Sequence, residues 1–287
     1  MPEAGKTPHG PASAPRLLTP QRGVTLKTAQ KMPHPIIRRL KPEEEELLRK
    51  REELAAIRAS LAERELELVD LRSQLAAFEG RYLRQVGILY AELDEWKARI
   101  SELRARLDPS AAAKEQAQQA RQRAHQTHEE AYGKASETRD FKPSADLKRL
   151  YREVARRIHP DLAKDSADLE RRTRFMAEAN RAYEAGDAEA LQRILDEYED
   201  GAEAATGEGI GAELIRIIRQ ITLAKTRLSA IEQELAALRK SEIALLKKQA
   251  EERERAGGDL LAELAASVRQ QIERAKKEYE ALAKPEG

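Results

Sequence analysis

The chain has 287 residues, of which 36% are Asp, Glu, Lys or Arg and only 4% are aromatic, a balance too polar for one large globular core. Its 52 basic and 51 acidic side chains nearly cancel, so the whole molecule has no electrostatic reason to coat nucleic acid or an anionic membrane. The lack of cysteine excludes disulfides, thiol chemistry and thiolate zinc sites, and fits a reducing compartment. There is no apolar core of a signal peptide, and no run approaches the ~18 uninterrupted apolar residues of a membrane span; the expected location is cytoplasmic. A composition rich in Ala, Glu, Leu, Arg and Lys predicts an all-α fold of long helices that each bury only a stripe.

Residues 1–39 hold seven of the twelve prolines and almost no apolar periodicity, which predicts a disordered basic tail. From Leu40 a seven-residue ladder runs through Leu47, Leu54, Leu61, Leu68, Leu75, Tyr82, Leu89, Trp96 and Leu103, the signature of an N-terminal coiled coil over 40–107. Ile57, Leu71 and Phe78 accompany it at a spacing of three, and then Val86, Leu93, Ile100 and Leu107 at a spacing of four. The seam therefore changes phase once, across Phe78, Tyr82 and Val86, as a four-residue stutter does. Gly80 and Gly87 flank that point and predict a local unwinding or bend.

Asp108-Pro109-Ser110 interrupts the rod, because proline is tolerated at a helix start but not inside one. Residues 108–140 read as a polar helical spacer with no apolar stripe, a solvated helix; His125 and His128 lie on it beside Glu129 and Glu130, without a third fixed ligand to make a metal site. Residues 201–211 are a glycine-rich linker and not a phosphate loop, because no Gly-Lys-Ser/Thr follows. A second seam, Leu214, Ile217, Ile221, Ala224, Leu228, Ile231, Leu235 and Leu238, opens a C-terminal coiled coil over 212–284. It is less regular through Leu245, breaks at Gly257-Gly258 and resumes from Leu261 to Leu282. Two partnerships suit these rods: an antiparallel hairpin with each other, or pairing with a second chain or a partner protein.

Between the rods, residues 141–200 form the module that carries chemistry. Leu147, Leu150, Tyr151, Val154 and Ile158 line one face of a helix, and Ser144 is placed to cap its start. Lys148, Arg149, Arg152 and Arg156 fall on the opposite face; Leu147 to Ile158 carries five basic residues and one acidic. Pro160 forces His159 out of the helical region and ends the helix, so His159 and Asp161 are expected to project from the loop. A second helix follows with Met176, Ala179 and Tyr183 on one side, which predicts an antiparallel hairpin.

The stretch LKRLYREVARRIHPD resembles helix II and the signature of the J-domain of DnaJ-type co-chaperones, and Ala179-Asn180-Arg181-Ala182-Tyr183 resembles the end of that domain's helix III. The likeness covers about forty residues, Ser144 to Glu184. It implies that His159, Pro160 and Asp161, with the basic face Lys148, Arg149, Arg152 and Arg156, dock on a DnaK-type chaperone and accelerate its ATP hydrolysis. It implies also that Asn180 and Tyr183 belong to helix III packing. Three departures stand out. The family's helix I is missing ahead of the hairpin, where the chain reads KASETRDFKPS; Ala188 to Tyr198, with Leu191, Ile194, Leu195 and Tyr198, is the expected substitute. Leu162 replaces the lysine that often follows the signature, and the glycine-rich, zinc-binding and substrate-binding parts of full DnaJ proteins are absent.

The leading expectation is therefore a co-chaperone that is not itself an enzyme, with no catalytic residue, metal or cofactor, whose rods serve targeting or dimerisation. The rival is a coiled-coil scaffold with a degenerate J-like domain. Acid–base work by His159 and Asp161 lacks an enclosing core or third polar group, and the basic helix lacks a nucleic-acid reading motif.

Overall fold

A computed structural model describes residues 41–135, 141–200 and 209–284. The expected disordered tail, 1–39, and most of the glycine-rich linker lie outside them. Every regular element among the described residues is helical, as the composition predicts.

Helix α1 (Pro42–Tyr82) starts with proline in its first turn and Glu43, Glu44 and Glu45 at its positive end. It continues through a wider π-turn, Leu83–Gly87, into α2 (Ile88–Leu107). Before the turn the buried ladder is Leu47, Leu54, Leu61, Leu68 and Leu75; it passes through Val86 within the turn and continues with Leu93 and Ile100, while Leu107 is exposed. The extra residue taken up by the wide turn absorbs the step in phase between Leu75 and Val86. The unwinding expected between Gly80 and Gly87 is thus a single π-turn in an otherwise continuous rod, on the order of 100 Å long at 1.5 Å per residue.

Helix α3 (Ala111–Ala135) departs from the solvated spacer expected of it. It folds back antiparallel along α2, with Arg121 bonded to Glu102 (2.8 Å) and Glu95 (2.6 Å), and Thr127 to Asp94 (3.0 Å). Its buried side is Ala117, Ala124 and Ala131. Alanine at every seventh position is a weak hydropathy signal but lets two helices approach closely. His125 faces Glu129 at 3.6 Å and His128 stacks on Tyr132, and no group of three metal-binding side chains gathers among the described residues.

Helices α4 (Ala145–Ile158) and α5 (Ser166–Ala185) form an antiparallel hairpin, and α6 (Ala188–Asp200) packs across both. Ser144 accepts the Leu147 amide (3.1 Å), Asp165 caps α5, and Gly186 closes α5 in the left-handed conformation at φ 72°. Helices α7 (Ile210–Arg239), α8 (Glu242–Arg255) and α9 (Leu260–Ala283) complete the chain. Besides the expected break at Gly257-Gly258, there is one at Lys240-Ser241, where Ser241 caps α8.

Helix α7 pairs with α1 of the same chain, and the pair is parallel. Arg51 meets Glu213, Arg58 meets Gln220, Glu65 meets Arg227 and Arg72 meets Glu234. Both partners advance by seven residues at each step. The antiparallel arrangement expected as one option is not adopted, because α3 and the hairpin carry the chain back to the start of α1 before α7 begins. Leu61 and Leu68 pack with Ala224, Ile231 and Leu235, and α9 lies along α2, burying Leu261, Ala265, Val268 and Ile272 against Val86, Leu93 and Ile100. None of the described helices is long and apolar enough to cross a membrane.

Candidate functional site

The core of the hairpin module holds the residues its periodicity marks. Leu147, Tyr151, Val154, Ile158, Met176, Ala179 and Tyr183 are buried together, with Leu150 packed against them. Tyr151 donates to Asn180 across the hairpin at 2.7 Å. Leu191, Ile194 and Leu195 of α6 close one side, the packing expected of the apolar stripe in Ala188 to Tyr198. Ala62, Leu66 and Val69 of α1 close another, and Tyr183 donates to Asp70 of α1 at 3.1 Å. The involvement of α1 has no signal in the hairpin's own sequence; it follows from the long rod passing beside it.

The basic face of α4 is divided. Lys148 bonds to Asp70 (3.0 Å) and Arg152 to Glu63 (2.8 Å), both on α1. Arg149 and Arg156 remain exposed and pair within their own helix, with Asp146 and Glu153.

His159, expected to project into solvent, is 2% exposed. Its Nδ1 accepts the Asp161 amide (3.2 Å), so Nε2 carries the proton that faces Glu65 Oε1 of α1 at 3.0 Å. The same oxygen receives Arg227 Nε of α7 at 2.7 Å. Burial opposes ionisation of Glu65, but the hydrogen bonds from His159 and Arg227 outweigh it and hold its carboxyl below the usual range. Asp161 is partly buried, and that burial pushes its carboxyl up.

The next residues lock the loop to the rods. Pro160–Leu162 make one 3₁₀ turn, and Leu162 is 2% exposed among Leu47, Leu54, Ile217 and Ile221 of the α1–α7 seam. Gln220 of α7 donates to the Leu162 carbonyl at 2.7 Å, and receives Arg58 at 3.4 Å. Leu162 is therefore an apolar plug between two helices, where an ammonium would be stranded.

On the other side of the loop, Arg172 of α5 donates to the carbonyls of Arg157 (2.9 Å) and His159 (3.4 Å), satisfying acceptors that the end of α4 leaves open. Arg172 is held by Asp168 at 2.8 Å. The Asp168 side chain is 9% exposed. Its burial disfavours the charge, but bonds from Arg171, Arg172 and the Lys164 amide prevail and bring its carboxyl down to about 2 from 3.8. A carboxyl lowered on folding stabilises the folded chain above its unfolded value and loses that contribution as pH falls through the folded one. Stability is therefore expected to drop by about 2 kcal/mol from this group between roughly pH 4 and pH 2, with Glu65 adding in the same direction. Urea unfolding across that range checks this: Asp168→Asn should flatten the slope, and an unchanged slope would contradict it.

Among the described residues, these contacts fix the position of the loop against α1, α5 and α7. The sequence marked the residues of the hairpin, but Glu65, Arg227, Gln220 and Arg172, which hold the loop, read only as members of charged helix faces. No model of a known protein family matches the chain, and no curated protein or solved structure is significantly similar to it.

Proposed function

We propose that the chain is a J-domain-type co-chaperone that recruits a DnaK-type chaperone and stimulates its ATPase, with the flanking helical rods serving targeting or assembly. The observation that carries this reading is the α4–α5 hairpin with His159-Pro160-Asp161 at its turn. The cationic face of α4, with Arg149 and Arg156 exposed, supports it, as does the Tyr151–Asn180 bond that ties the Ala-Asn-x-Ala-Tyr segment to α4. ATP and its magnesium belong to the partner, and this chain contributes no catalytic residue, metal or cofactor. The cytoplasmic compartment is part of the same proposal, as the place where such a partner is met.

Burial of His159 favours one other reading, a helical scaffold in which the tripeptide joins the hairpin to the rods. Single-turnover ATP hydrolysis by the host's DnaK-type chaperone separates the two. His159→Gln keeps an N–H donor for Glu65, so helicity should be unchanged while stimulation is lost. Equal rates with wild type, with the variant and with no added protein would leave the scaffold reading in place.

A further inference from the structure

We infer that the α1–α7 pair is an intramolecular latch that holds the His159-Pro160-Asp161 loop closed, and that the loop must leave the seam before a DnaK-type chaperone can dock. This rests on the co-chaperone reading. Three attachments make the latch: the Leu162 side chain in its pocket of Leu47, Leu54, Ile217 and Ile221, the Gln220 amide on the Leu162 carbonyl, and the Glu65 carboxylate shared by His159 and Arg227. Lys148 and Arg152 are drawn onto α1 at the same time, so the rod that helps seat the loop also engages half of the basic face, while Arg149 and Arg156 stay exposed.

The closed state is held without being optimised. The Arg58 Nε–H is buried with no hydrogen-bond partner, and the neighbouring Arg172 adds like charge. A buried donor left unpaired disfavours the state that buries it. The hairpin core closes through α6 and through Ala62, Leu66 and Val69 of α1, an apolar cluster separate from the one that seats Leu162. The loop can therefore be released while the module stays folded. Opposition between a specific plug and uncompensated groups suits a two-state element whose open form is the minor population.

The test compares the full chain with Leu162→Lys, whose ammonium cannot be buried in the seam, and with Gln220→Met, which keeps side-chain bulk and removes the amide that donates to the Leu162 carbonyl and accepts from Arg58. Both are added to the DnaK-type chaperone in single-turnover hydrolysis, each alone and combined with His159→Gln. Unlatched chains should reach half-maximal stimulation at a concentration about tenfold lower, since apparent affinity scales with the competent fraction. The gain should vanish with His159→Gln. Amide exchange at Leu162 and Ala163 should quicken in both variants. If wild type and unlatched chains stimulate equally, the co-chaperone reading stands and the latch falls. If none stimulates, the co-chaperone reading itself falls and the latch with it. Stimulation that survives His159→Gln overturns the assignment of the loop as the docking element. Should Leu162→Lys lose helicity, Gln220→Met alone decides.

Discussion

Replacing Glu65 with alanine is expected to destabilise the chain by about 3–5 kcal/mol, the range for removing one partner of a buried ion pair. Glu65 is buried, and a single carboxylate oxygen serves both the His159 imidazole and the Arg227 guanidinium. Alanine leaves both donors facing an apolar gap between α1, α7 and the loop. Glu65→Gln keeps one acceptor of nearly the same shape and should cost less, about 1–3 kcal/mol. Urea unfolding followed by far-UV circular dichroism gives both values. A loss below about 1 kcal/mol for alanine would place the three groups in the class of exposed pairs, and the loop would not be held as described.

Tyr183→Ala is expected to be as severe, about 3–5 kcal/mol, as for other large aromatic truncations in a packed core. The ring is fully buried between Tyr151, 4.9 Å away by centroids, and Phe141 at 5.5 Å. Its hydroxyl reaches Asp70 on α1, so one side chain joins the hairpin core to the rod. Tyr183→Phe isolates the polar part. Asp70 retains Lys148 at 3.0 Å, so losing the hydroxyl should cost only about 1 kcal/mol. If Phe were as damaging as Ala, the Tyr183–Asp70 bond and not ring packing would be what binds the module to α1.

The two substitutions separate what local pattern reveals from what it conceals. Tyr183 announces itself in the sequence, because an aromatic at the right helical spacing after Met176 and Ala179 marks a core face. Glu65 does not: among the alternating charges of α1 nothing distinguishes it from Glu63 or Glu67, which stay on the surface side. Hydropathy patterns record which side chains leave water by being apolar. They are silent about a charged residue that leaves water because two donors meet it from distant segments. The same reason hides α3: its buried positions are alanines, whose hydropathy contrast with Gln and Arg neighbours is too small to read as a stripe.

By itself the sequence determined the helical fold, the cap at Ser144, the shift of phase that becomes the π-turn at Leu83–Gly87, the break at Pro109 and the core face of the hairpin. Each depends on interactions within one or two turns, which the chain specifies locally. Only the tertiary structure decided that α1 and α7 run parallel within one chain, that α1 completes the hairpin core, and that His159 and Leu162 are seated in the α1–α7 seam. Those outcomes depend on pairing between residues about 60 to 160 positions apart, such as Leu162 with Gln220 and Glu65 with Arg227. Several registers would satisfy the same seven-residue repeat, and only the complete set of contacts selects among them.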